Sequence, residues 1–263
     1  VVNVYGFISQ SRYLPDRRDL NRSFPGSESG SMAARLAHTF MTEVVSQCTH
    51  GIDLHTGAVA RENLPQIRAK VIGAPETEEM ARAFGAPVIL NAELRDGSLR
   101  EAVAEHGIPI LLYEAGEALR FDEVSIRAGV KGVTCVMRHL GMLPKKKPSK
   151  FRNEPFIARK SLWVRAAQSG VLRSITPLGA QVAMGDTIGW LADPFGDKEL
   201  PVLASVSGII IGKTNMPLVH EGEALYHIAR FDEPESITES VEAFQDEHDP
   251  LNDPLSHDEP VIV

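Results

Sequence analysis

The spacing of apolar and polar residues changes character along this chain, and the changes predict its elements. Val1-Val2-Asn3-Val4 reads as the middle of a strand, with neither a Met nor a cap ahead of it, so we expect the natural start to lie upstream. A loop rich in Arg, Asp, Gly and Pro follows from Ser9 to Ser31, too polar for core and long enough to suspect function. Apolar positions at helical spacing from Met32 predict an amphipathic helix ending near Cys48. Gly51 to Gly57 reads as a short strand running into a turn, residues 76–84 as a helix, and Pro87 to Leu90 as a strand. Ser98 is a candidate N-cap for a helix reaching His106. Ile108-Pro109-Ile110-Leu111-Leu112-Tyr113 is a continuous apolar run, as expected of a strand buried on both faces, and a helix covers about 123–140. This alternation predicts an α/β domain over residues 1–143, with a mixed sheet flanked by helices.

The pattern breaks at Pro144-Lys145-Lys146-Lys147-Pro148, and residues 144–156 read as a linker. Beyond it come short β-like segments punctuated by Gly and Pro, at 161–165, 170–172, 186–191, 208–211 and 224–228. They predict a small β-barrel or sandwich over 157–231. Residues 232–263 are acidic and weakly hydrophobic, so disorder or loose docking is expected there.

Composition narrows the partners. The net charge of -8 is carried by the tail: residues 232–263 hold 11 of the 35 acidic side chains and none of the 27 Lys and Arg. The remaining body is near neutral and has no basic stripe to track a nucleic acid, so no nucleic-acid partner is expected. No apolar run approaches the ~20 residues needed to cross a bilayer, and no membrane partner is expected either. Cys48 and Cys135 sit in apolar helical patterns, which predicts reduced core thiols and a cytoplasmic location.

Three groups of residues can carry chemistry. Asp53-Leu54-His55-Thr56-Gly57 delivers an imidazole at the carboxyl end of a strand, where open α/β sheets bind ligands; a structural histidine is the alternative. Glu114 ends the most apolar strand, so its carboxylate either pairs with a cation or metal or serves proton transfer. An ion pair with a nearby Arg is the plain alternative, and Glu117, inside the following turn, suits a cap or supporting role. The loop offers Arg12, Arg17, Arg18, Asn21 and Arg22; guanidinium groups bind carboxylates bidentately or stabilise an oxyanion. Leu20 and Phe24 flank Asn21-Arg22 as if pinned to a core, which favours function there, whereas Arg17 and Arg18 read as solvated.

Arg-Tyr followed by Asp-Leu-Asn-Arg-x-Phe, then Asp-Leu-His-Thr-Gly, then a buried strand ending in Glu-Ala-Gly-Glu, resembles the succinylglutamate desuccinylase/aspartoacylase family of zinc-carboxypeptidase-like enzymes. The resemblance covers about residues 1–143 and extends to the C-terminal β domain. It implies a zinc-dependent hydrolase that cleaves the amide of an N-acyl amino acid, with one zinc per complete chain and a homo-oligomeric assembly. It makes His55 a zinc ligand, Glu114 the general base and Arg12 the group that polarises the scissile carbonyl. Asn21 and Arg22 would hold the substrate carboxylate, with Arg100 as a second binding arginine. Zinc would lower the pKa of its water to about 7 and act as a Lewis acid on the amide. The family's other two ligands come from a His-x-x-Glu motif expected upstream of residue 1. A carboxypeptidase-like peptide hydrolase and a metal-free carboxylate-binding module are the alternatives. The C-terminal segments also resemble biotinyl/lipoyl-like barrels, with Lys198 in a hairpin-like loop. Its neighbours Asp197 and Glu199 favour a structural barrel over a carrier.

Overall fold

The structure is a computed structural model that describes residues 1–145, 155–231 and 237–252. Its helices are α1 (Val4–Ile8), α2 (Met32–Glu43), α3 (Pro75–Phe84), α4 (Leu99–Glu105), α5 (Glu123–His139) and α6 (Ile237–His248). The first strands are β1 (Gly51–His55), β2 (Arg61–Ala69), β3 (Val88–Asn91) and β4 (Ile110–Gly116). Next come β5 (Phe156–Ala158), β6 (Lys160–Arg165), β7 (Gly170–Ser174), β8 (Gln181–Val182) and β9 (Thr187–Ala192). The last are β10 (Glu199–Leu203), β11 (Gly208–Thr214), β12 (Leu218–Val219) and β13 (Ala224–Arg230).

Two compact units make up the described chain. The first comprises Val1–Asp53, Ala69–Glu78 and Ala92–Leu112. Its core gathers Leu20 and Phe24 from the polar loop, Ala33, Ala37 and Met41 from α2, and Val103 from α4. Burying each large side chain contributes about 1.5–3 kcal/mol, and this is what pins the Leu20–Phe24 stretch. Both helices begin on the serines that capping chemistry selects: Ser31 accepts from the Ala34 N–H and Ser98 from the Glu101 N–H.

The second unit comprises Leu54–Arg68, Glu79–Asn91 and the chain from Tyr113 on. It contains the carboxyl ends of β1 and β4, and its strand order runs β1-β4-β2-β11-β13-β6, with β3 joined to β2 and β5, and β8 joined to β11. A four-stranded sheet, β10-β9-β7-β12, faces the C-terminal strands. Their shared core includes Leu172, Ile188, Leu191, Ile210, Leu225 and Tyr226. The expected sandwich thus exists, but it is not a separate barrel. β11 pairs antiparallel with β2, Gly212 opposite Asn63, so one sheet runs through both regions. On the α5 face, Gly132 lets the Phe84 ring approach; a Cβ there would lie 2.2 Å from its Cε1. Phe84 in turn packs against Tyr113 at 4.9 Å between ring centroids.

Several sequence expectations are corrected. Val1 to Val4 is not a strand; α1 begins at Val4 because the Asn3 side chain caps the Gly6 N–H at 2.9 Å, a local bond that overrides the β character of valine. β2 was not expected at all, since Pro65 and five charged or amide side chains obscure its buried run Leu64 to Ile67. The acidic tail is helical over Ile237–His248, where Val241, Phe244 and His248 bury one face and Lys131 of α5 pairs with Glu247 at 2.5 Å. Both cysteines are free, but Cys48 is exposed just beyond a 3-10 turn and is no core thiol. Most of the expected linker at 144–156 lies outside the described residues. Among the described residues, no helix is long and apolar enough to cross a membrane.

Candidate active site

In the second unit, the turn after β1 is locked against the end of β4. The Gly57 N–H donates to the Gly116 carbonyl at 3.0 Å, and the Ala118 N–H donates back to the Gly57 carbonyl at 3.1 Å. Glycine is required at 57, because a Cβ would sit 2.2 Å from the Arg61 carbonyl oxygen and 2.9 Å from that of Gly116. This lock sets half-buried His55 at the end of β1 and half-buried Glu114 two residues before the end of neighbouring β4, toward the side where open α/β sheets bind ligands.

The Glu114 side chain is 15% exposed, and its Oε2 accepts from Arg68 Nη1 at 3.0 Å. Asn63 Nδ2 donates to the same oxygen at 3.4 Å. The ion pair considered as the plain alternative is therefore present, and its partner comes from β2. Glu117 is differently engaged: Oε1 accepts the Ala60 N–H at 3.0 Å and Oε2 accepts Asn215 Nδ2 at 2.9 Å, with Arg120 Nε at 3.3 Å. Burial alone would raise its pKa. The bonds from Asn215, Arg120 and Ala60 outweigh that and hold the carboxyl below its ordinary value, as expected of a strap between two loops.

The first unit holds the other expected residues. Arg12 donates through Nε and Nη2 to Asp19 Oδ2 at 2.9 and 2.7 Å, with its side chain 55% exposed. Asp19 also caps the turn Leu20–Arg22 by accepting the Asn21 N–H. Asn21 Oδ1 accepts the Leu99 N–H at 2.9 Å, tying the loop to the start of α4. Gly97, at φ 71°, lies so close that a Cβ would meet the Arg22 carbonyl oxygen at 2.8 Å. Arg22 donates to the Asn21 carbonyl. Burial first, then the charge of Arg95, and finally that of Arg12, lower the Arg22 pKa against the pull of Asp19. Arg12 and Arg95 thus both act electrostatically on Arg22, with Asp19 as the counter-charge. Arg100 is only 8% exposed, and its Nη2 donates to the Glu93 carbonyl at 3.0 Å.

Sequence reasoning missed Arg68, Asn63 and Arg95. The first two lie on the strand that Pro65 concealed, and the third in a Gly-containing turn with no motif around it. Among the described residues, no three His, Cys, Asp or Glu side chains converge to hold a metal. One imidazole does not bind zinc usefully, so the described residues do not by themselves fit a zinc centre.

An α/β sheet with a histidine and a glutamate near adjacent strand ends belongs to the class of open-sheet domains that bind ligands beyond their strands. Solved structures share the fold. A succinylglutamate desuccinylase/aspartoacylase from Rhodobacter sphaeroides superposes with TM-score 0.79 at 24% identity, over 89% of this chain and 74% of that one. The product-bound ectoine utilization protein EutE (DoeB) from Ruegeria pomeroyi gives TM-score 0.77 at 24% identity, over 88% and 73%. Residues 1–140 match the model of the succinylglutamate desuccinylase/aspartoacylase catalytic domain, and the chain belongs to that family. A curated relative, the N-alpha-acetyl-L-2,4-diaminobutyric acid deacetylase of Halomonas elongata, is 26% identical over 227 residues. The match takes in 81% of this chain and spans 66% of the relative's length.

Proposed function

We propose that this chain belongs to a zinc-dependent hydrolase that cleaves the amide bond of an N-acyl amino acid. The observation that carries the reading is the pairing of His55 and Glu114 near neighbouring strand ends within the family's catalytic domain. Glu114 takes the proton from the attacking water and returns it to the departing amine nitrogen, so a carboxylic acid and an amino acid leave. Arg12 is assigned to stabilise the negative charge that builds on the carbonyl oxygen. Asn21 and Arg22 hold the amino acid's carboxylate, with Arg100 as a further cation. His55 is one zinc ligand, and no step above depends on the metal's position. A cytoplasmic homo-oligomer completes the reading, and two free cysteines accord with a reducing compartment.

The relative's name directs the first assay. With zinc supplied, the complete natural protein should release acetate from N-acetyl-L-2,4-diaminobutyrate or the acyl group from another N-acyl amino acid, and leave short peptides with free C-termini intact. Release of C-terminal residues from peptides would make it a carboxypeptidase. Binding of N-acyl amino acids without turnover would make it a carboxylate-binding module.

A further inference from the structure

Glu114 carries an asymmetry that the proposed chemistry can use. Arg68 and Asn63, both on β2, donate to a single oxygen, Oε2. Among the described residues, Oε1 accepts no hydrogen bond. A carboxylate with one oxygen fixed by a guanidinium keeps its plane and leaves the other oxygen's lone pairs for an incoming proton. The C-terminal strands shape this arrangement. Gly212 of β11 stands opposite Asn63, and a Cβ there would come within 2.7 Å of Asn63 Oδ1, so only glycine leaves the amide its position. Next to Arg68 lies His227 of β13, buried and stacked on Trp163 of β6 at 4.4 Å and 6° between ring planes. Burial first, and the Arg68 charge second, keep that imidazole neutral.

We propose that Arg68 is a positioning residue for Glu114, anchoring one carboxylate oxygen so that the other is presented for proton transfer. The proposal rests on the reading of Glu114 as the base. It gives β2 and the C-terminal strands behind it a part in turnover beyond covering the sheet.

Kinetics of the full chain on a turned-over N-acyl amino acid test it, with urea unfolding to confirm that each variant is folded. Arg68→Gln should lower kcat about 10- to 100-fold, the scale of a misplaced catalytic group, and leave KM within about twofold. Arg68→Lys restores a charge on Oε2 and should recover part of the loss. The double variant Arg68→Gln/Glu114→Gln should be no slower than Glu114→Gln alone, because the arginine then has no base to position. If Glu114→Gln abolishes turnover while Arg68→Gln keeps kcat within about twofold of the parent, Arg68 does not position the base. A lysine variant no faster than the glutamine variant, in folded protein, would overturn the ion-pair account as well. Full turnover by Glu114→Gln would instead remove the reading of Glu114 itself, an outcome separate from any effect at Arg68.

Discussion

His227 offers a test of how tightly the C-terminal strands enclose the site. The residue is 4% exposed, and burial, with the Arg68 charge as a second cause, pushes its pKa from the ordinary 6.5 to about 3. The native state therefore refuses a proton that the unfolded chain accepts below 6.5. Stability from the neutral imidazole is complete above that pH and is lost as pH falls toward the native value. Each pH unit inside the window is worth about 1.4 kcal/mol. Between about pH 7.5 and pH 5 the loss comes to roughly 2 kcal/mol, and any native value below about 4 gives the same figure. His227→Phe keeps a ring against Trp163 and removes the titration. Urea unfolding of both proteins at the two pH values isolates the effect, since carboxylates common to both cancel in the comparison. The parent should lose about 2 kcal/mol more than the variant on acidification. Equal losses would mean that His227 takes up its proton in the folded state, and the buried stack described above would be wrong.

Three further outcomes are expected. Arg22→Lys keeps charge but loses the planar fork, so KM should rise at least about tenfold for substrates with a free carboxylate and hardly change for amide-capped ones; equal effects on both would make Arg22 structural. Gly132→Ala places a methyl against the Phe84 ring and should cost about 1–3 kcal/mol in thermal or urea unfolding, despite the better helix propensity of alanine; an unchanged midpoint would show that the ring has room to move. In the complete natural protein, His55→Ala should weaken zinc binding, measured by competition with a chromogenic chelator, by at least about tenfold, and an unchanged affinity would take His55 out of the ligand set.

The sequence by itself determined whatever depends on neighbours along the chain. Helices α2 and α4 begin at the serines that cap them, and the apolar run before Glu114 becomes β4, because capping and periodicity act within a few residues. The candidate residues His55 and Glu114 stood out for the same reason: His55 closes β1 and Glu114 lies two residues before the end of apolar β4, each shortly before a glycine. Local bonds also misled, as at Asn3, whose cap starts a helix in a stretch of strand-forming valines. Only the tertiary structure decided what touches Glu114. Arg68 lies 46 positions away on a strand that Pro65 and its charged neighbours hide, and it is recruited because β2 packs beside β4. The joining of the C-terminal strands to β2, through Gly212 opposite Asn63, was equally invisible, since such pairing depends on backbone bonds and close approach, which leave no periodic trace in a sequence. The acidic tail makes the same point: its charges left disorder and loose docking both open, and over Ile237–His248 the burial of Val241, Phe244 and His248 decides for docking.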